Sequence, residues 1–244
     1  MVAWILIVTF LVMKQPNFSM GAMIFFLSMV VLFIGRVKIS HVVMLFAIIV
    51  PLLAFYMLTA EYRRARVMSF ISGDATVTKH NYQLLQGKIG FGNGGIFGVG
   101  LGESKQRDLF LPESYGDFVF SIVGEEYGFL GTMFVMLTFL FIMVRGFRIA
   151  RYAEDGFGRN LAITITAAIT LYALINASVT LGIVPTTGLP MPFVSYGGSS
   201  MVFSAFVLGV LLNISSQTAL YPRASQVPVV GEVSADGSAV GKVY

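Results

Sequence analysis

Long apolar runs separated by short polar breaks dominate the pattern of the 244 residues. A membrane-spanning helix needs roughly 20 apolar residues, with a working range of about 17 to 25. The pattern therefore predicts an all-α, polytopic membrane bundle with six spans, near residues 2–13, 18–34, 42–60, 127–144, 161–184 and 199–214. The last two spans come from one uncharged stretch that a cluster of Pro and Gly divides.

Two segments between these spans do not fit a lipid-exposed helix: the charged, Gly-rich loop 61–117 and the Pro-rich segment 185–198. Six spans would place both on the same face. The positive-inside rule makes that face extracytoplasmic, because only Lys14 lies in its short loops. The opposite, cytoplasmic side receives Arg36, Lys38, Arg145, Arg148, Arg151, Arg159, Arg223 and Lys242. Both termini are then cytoplasmic, and the polar stretch 223–244 is predicted to be a disordered tail.

Composition narrows the class of protein. Hydrophobic residues make up 56% of the chain and charged residues 11%, against about 25% charged in soluble domains. This excludes a cytosolic enzyme, a disordered protein and a nucleic-acid reader, and it makes membrane lipid an obligatory partner. The absence of cysteine excludes disulfides, zinc thiolates and a Cys nucleophile.

Eight of the twelve acidic residues lie between Glu61 and Glu126, so the chemistry is expected in or beside the long outer loop. Asp117 stands where this loop meets an apolar helix, flanked by Phe118 and Phe120. Partial desolvation there would raise its pKa and suit it to proton abstraction. A solvated or helix-capping aspartate is the alternative. For Glu125 and Glu126 we favour a structural or helix-dipole role over catalysis.

The start of the outer loop carries a basic cluster that includes Arg63 and Arg64. These arginines could hold an anionic head group or simply anchor the chain at the membrane interface. Further along, Tyr82, Leu85 and Ile89 have helical spacing, which predicts a short interfacial helix.

Residues 87–102 contain eight glycines in 16 positions. They do not form a phosphate-binding P-loop, because Lys88 is followed by Ile89 rather than Ser or Thr. The apolar residues between the glycines are unlike a flexible linker. The segment is therefore expected to bring backbone close to a ligand or to another helix.

Three prolines prevent a continuous helix in the outer segment before the last span. Ser199 or Ser200 can cap that span. A helix N-terminus preceded by Gly197 and Gly198 is also a ready anion site. We favour a cavity-lining element here, with a tight interhelical turn as the alternative.

Several strings, taken together, resemble a known family. They are Gly98–Gly102, Leu111–Glu113, Asp117–Phe120, Gly124–Glu126 and, most specifically, Pro185–Ser200. In order and spacing they resemble the SEDS proteins (shape, elongation, division and sporulation), with the cell-division branch favoured. Members have ten spans, so the chain resembles their C-terminal six-helix portion.

The resemblance implies a peptidoglycan glycosyltransferase that joins lipid II units outside the cytoplasmic membrane by inverting transfer. It also implies a class B penicillin-binding transpeptidase and other division proteins as partners. Asp117 matches the essential acid of the family. The candidate substrate-binding residues are Arg63, Arg64, Lys105, Arg107, Glu113, Ser195, Tyr196, Gly197, Gly198 and Ser199. No dedicated metal cage is visible, although Mg²⁺ or Mn²⁺ held partly by Asp117 could neutralise the departing pyrophosphate. A lipid II flippase and a non-catalytic division scaffold are the alternatives.

Overall fold

A computed structural model of the chain describes residues 2–15, 18–35, 37–59, 61, 64, 68, 70, 79–111 and 115–218. Within these residues the chain is helical, with no β-strand. The elements are α1 (Val2–Lys14), α2 (Phe18–Ile34), α3 (Ile39–Thr59), α4 (Lys79–Gly94), a π-helical turn (Gln106–Phe110), α5 (Val119–Arg151), α6 (Gly156–Thr180) and α7 (Gly198–Ser216). Arg63, Glu113 and the predicted tail 223–244 lie outside the described residues.

Three of the described helices, α5, α6 and α7, are long and apolar enough to cross a membrane. The apolar stretches Trp4–Met13, Phe18–Ile34 and Ile39–Leu52 are shorter. The six-span arrangement therefore stays a prediction for the first half of the chain. α5 differs most from its predicted span, because it begins at Val119 rather than at residue 127.

The centre of the bundle is the antiparallel pair α5 and α6. Near one end of the pair, Gly146 of α5 lies against Thr166 of α6. Near the other end, the side chain of Asn176 in α6 donates a hydrogen bond to the backbone oxygen of Asp117, just before α5. Small buried residues such as Ala162 and Ala173 let the two helices approach closely. The core between them is extended by α7 and by the segment before it. α4 packs against α5 and α6, while α1 and α3 flank α2, which itself contacts α6.

Large apolar side chains cover the outer surface of the bundle. Phe134 on α5 is 72% exposed, and Phe141, Val202 and Phe203 are exposed in the same way. Soluble monomers rarely expose contiguous apolar surface on this scale. The chain is therefore an all-helical membrane bundle, as the sequence predicts.

α5 is broken near its start, at Gly128. Its φ of 67° and ψ of −161° interrupt an otherwise continuous helix. The break separates the carbonyl oxygens of Glu125 and Glu126 from the N–H groups of Phe129 and Leu130, which would be their partners in a continuous helix. Freed backbone groups at membrane depth need new partners, because lipid offers none.

The glycine-rich loop after α4 provides those partners. Val99 N donates to Glu125 O at 2.9 Å and Gly100 N to Glu126 O at 3.1 Å. In return, Phe129 N donates to Gly95 O at 2.9 Å and Leu130 N to Ile96 O at 3.2 Å. A Cβ at Gly94 or Gly98 would collide with the backbone of α5. The expected close backbone approach therefore occurs, and the partner is another helix.

Candidate active site

Asp117 lies in the turn 115–118, which connects the outer loop to α5. Three consecutive carbonyl oxygens of this turn each accept one hydrogen bond: Tyr115 O from Tyr196 N at 2.8 Å, Gly116 O from Ser195 Oγ at 2.7 Å and Asp117 O from Asn176 Nδ2 at 2.9 Å. The end of the long outer loop and the Pro-rich segment therefore meet at Asp117.

The Asp117 side chain is half-buried and lies against the backbone of Gly188. A Cβ built on Gly188 would stand 3.4 Å from Asp117 Oδ2. Phe118, rather than Asp117, occupies the N-cap position of α5. Phe118 and Phe120 are buried beside it. The acid thus stands at the boundary between an apolar core and the loops.

The N-terminus of α7 does not have the cap expected from its sequence. Gly197 is the N-cap residue, and no side-chain hydrogen bond closes this helix end. Ser199 and Ser200 instead lie within the first turn, because the extended backbone of Gly197 already leads the chain into the helix at Gly198. The prediction that Ser199 or Ser200 is the N-cap is therefore wrong.

The candidate substrate-binding residues of this segment differ in accessibility. Ser195 is buried, and its hydroxyl accepts from Met191 N at 2.7 Å while donating to the turn. Tyr196 is 84% exposed, and Gly198 and Ser199 are exposed as well. Ser195 thus holds the loop together, while the other three face the exterior of the fold.

Arg107, in the π-helical turn, is engaged by neighbouring groups. Its Nη1 is 2.7 Å from Glu126 Oε1, its Nε is 2.7 Å from Asp108 Oδ1, and its Nη2 donates to Gly102 O at 2.8 Å. The hydrogen bond with Asp108 raises the pKa of Arg107 and holds the pKa of Asp108 below its usual value. Arg107 therefore stays charged and ties the π-helical turn to α5.

Glu125 is 1% exposed and accepts several hydrogen bonds from the outer loop. Ser104 Oγ donates to it at 2.5 Å, Gln106 N at 3.1 Å and Asn93 Nδ2 at 3.3 Å. Glu125 and Glu126 thus take the structural role favoured from the sequence. They do so by binding the loop rather than through the helix dipole, since both lie beyond the first turn of α5.

Lys105 and Arg64 are exposed. Lys105 makes no ion pair within the described residues, so its ammonium group is available to an anion. Among the described residues, no three His, Asp or Glu side chains gather closely enough to hold a metal ion. The divalent cation stays a prediction.

The sequence interpretation missed Asn176, Gly188 and Ser104. Asn176 alone had a usable signal. A buried amide in a predicted span is costly without partners, which marks it as a residue with a specific contact.

The fold and this site define an all-helical membrane protein whose loops gather around one carboxylate. The family model of the FtsW, RodA and SpoVE cell cycle proteins matches residues 1–220. The chain belongs to this family, so the resemblance to the SEDS proteins, of the FtsW type, is confirmed.

Individual relatives agree with the family match. The probable peptidoglycan glycosyltransferase FtsW of Geobacter metallireducens is 37% identical over 85% of this chain and 55% of its own length. Stage V sporulation protein E of Bacillus subtilis is 37% identical over 84% of this chain and 56% of its own length. The chain therefore spans about half the length of these curated relatives.

A solved structure also matches the fold. It belongs to a peptidoglycan synthase complex in which polymerization and crosslinking are structurally coordinated. The TM-score is 0.68 at 25% identity, and the alignment covers 90% of this chain and 62% of that one.

Proposed function

We propose that the protein is a peptidoglycan glycosyltransferase that polymerises lipid II at the outer face of the cytoplasmic membrane during cell division. The observation that carries the proposal is the half-buried Asp117 carboxylate, held where the two outer loops meet. Two relatives support the reaction class, since those of Geobacter metallireducens and Trichlorobacter lovleyi are both named probable peptidoglycan glycosyltransferases.

The proposed reaction is attack by a sugar 4-hydroxyl on the anomeric carbon of a lipid-linked donor. The new C–O bond forms as the bond to undecaprenyl pyrophosphate breaks, and an α-linked donor yields a β-1,4 product. Inversion of this kind needs one direct displacement and a general base, without a protein nucleophile. Asp117 is the base and accepts the hydroxyl proton in concert with attack, because a carboxylate is too weak to remove that proton beforehand.

The departing pyrophosphate needs positive charge or N–H donors. Lys105 and Arg64 are exposed cations of the outer loop. The N-terminus of α7 adds backbone N–H groups that no N-cap side chain covers. Arg107 stabilises the loop that carries Lys105, and its contribution to substrate binding stays a prediction.

The site works on the extracytoplasmic side in this proposal, with both termini in the cytoplasm. A class B penicillin-binding transpeptidase is the proposed partner, and other division proteins join the assembly. The structural match to a synthase complex that coordinates polymerization and crosslinking supports such a partner.

The test is lipid II polymerisation by the purified protein with its transpeptidase partner. Asp117→Asn keeps the size of the side chain but removes its basicity, so the rate should fall by about 10² to 10⁴. Glu103→Gln is the matched control. It neutralises an exposed carboxylate of the same outer loop, and polymerisation should stay within about twofold.

The same measurement separates the alternative functions. A flippase or a scaffold needs no general base. A flippase with Asp117→Asn should still translocate lipid II, and a scaffold with the same change should still support cell division. An Asp117→Asn protein that polymerises at the unmodified rate would contradict the proposed mechanism.

A further inference from the structure

Asn176 is an unusual residue within α6. It is 1% exposed, and its side chain bonds outside its own helix. The buried threonines of α6 behave differently, because Thr166 and Thr170 donate to carbonyl groups of the preceding helical turn. A buried side chain that forms no hydrogen bond within its own helix can hold a neighbouring segment of the chain in place.

The two groups that Asn176 holds belong to the two outer loops. Its Nδ2 donates to Asp117 O at 2.9 Å and to Leu189 O at 2.8 Å. Since both neighbours are carbonyl oxygens, only the amide nitrogen can face them, and the orientation of the side chain is fixed. Its Oδ1 is buried without a protein partner in the described structure.

Asn176 also differs from the other two anchors of the Asp117 turn. Ser195 and Tyr196 bind the carbonyl groups of residues 116 and 115, but both belong to the Pro-rich segment. That segment has no regular secondary structure between residues 183 and 197. Of the three residues that hold the Asp117 turn, Asn176 is the one that lies on a helix of the central pair. It therefore ties the turn, which continues directly into α5, to the second helix of the central pair.

We propose that Asn176 is a positioning residue that sets the location of the Asp117 carboxylate for proton abstraction by tying both outer loops to α6. This inference rests on the proposed function, in which Asp117 is the base. A displacement of about 1 Å in a catalytic group can cost about 100-fold in rate. The backbone oxygen that Asn176 holds belongs to the same residue as the carboxylate.

The experiment compares Asn176→Asp with Asn176→Ala in the purified protein, assayed with its transpeptidase partner for lipid II polymerisation. Asn176→Asp keeps the shape and loses donors, while Asn176→Ala removes the side chain without a steric demand. We expect kcat to fall by about 10- to 100-fold and KM to stay within about twofold. Thr170→Val is the control, because Thr170 is buried on the same helix and its hydroxyl bonds only within that helix.

The decisive measurement repeats each Asn176 change in an Asp117→Asn background. A residue that acts through Asp117 should then add no more than about twofold, because the base is already gone. Independent losses that multiply would assign Asn176 a general structural role and overturn the proposal. Loss of folded protein in both Asn176 variants, with Thr170→Val intact, would do the same.

The outcomes also separate this inference from the proposed function. Full activity of the Asp117→Asn protein would contradict the assignment of Asp117 as the general base, and with it the proposed mechanism. Full activity of both Asn176 variants beside an inactive Asp117→Asn protein would remove only the positioning role.

Discussion

At the residue scale, Gly188 lies against the side chain of the candidate base. Its φ of 74° lies in the left-handed region, and a Cβ there would touch the Asp117 carboxylate. Gly188→Ala should therefore strain the loop by about 1–2 kcal/mol and also bring a methyl group into van der Waals contact with the carboxylate. We expect lipid II polymerisation to fall by roughly tenfold.

Gly102→Ala is the control that separates backbone strain from contact with the Asp117 carboxylate. Gly102 has a φ of 83°, but a Cβ there would meet nothing within 4 Å. Both variants should lower the melting temperature by similar amounts, and only Gly188→Ala should lower the polymerisation rate strongly. Equal rates in the two variants would show that contact with Asp117 has no consequence.

The sequence singles out Asp117 as the candidate acid, because it marks the point where a charged loop enters an apolar helix. Its catalytic role stays a prediction, and the residues that hold its turn were not predicted. Asn176 could not be assigned a role, because its partners are backbone carbonyl groups of Asp117 and Leu189, and every residue has such a group. Ser195 was expected to bind substrate, but its hydroxyl connects Gly116 to Met191. Pattern alone does not show which atoms a hydroxyl meets.

At the element scale, the broken start of α5 depends on the glycine loop that fills it. Gly98 has a φ of 83°, and a Cβ there would collide with Glu126 O. Gly98→Ala should separate the loop from α5 and weaken the four backbone hydrogen bonds at the break. We expect a loss of about 2 kcal/mol or more in stability, seen as a lower melting temperature and faster hydrogen exchange at Phe129 and Leu130.

Gly92→Ala provides the comparison for this prediction. Gly92 lies in α4, and a Cβ there would meet nothing within 4 Å. Alanine is the better helix former by about 1 kcal/mol, so Gly92→Ala should be neutral or stabilising. If Gly98→Ala is equally benign, the loop is not what completes the broken helix.

α5 extends further toward the outer loop than the predicted fourth span, which starts near residue 127. Hydropathy falls at Glu125 and Glu126, so the sequence pattern places the boundary near Tyr127. The helix nevertheless starts at Val119, because Ser104, Gln106 and Arg107 satisfy the two carboxylates. Those partners lie about twenty residues away in the outer loop, beyond the reach of a local pattern.

At the scale of the whole molecule, the fold class follows from the apolar pattern because a membrane bundle places most of its apolar surface outward. We predict sidedness from loop charge, since translocating basic loops is disfavoured. α5 separates the loop around Glu103 from the turn around Glu154, so these residues should lie on opposite sides of the membrane. Both are exposed.

Cysteine labelling tests this arrangement directly, because the chain has no native cysteine. Glu103→Cys should react with a membrane-impermeant maleimide added to spheroplasts, whereas Glu154→Cys should react only after the membrane is permeabilised. The two positions share residue type and exposure, so each is the control for the other. Labelling in the reverse order would place Asp117 and its loops in the cytoplasm, where an extracytoplasmic polymerase could not work. Labelling of both from outside would contradict a membrane crossing by α5.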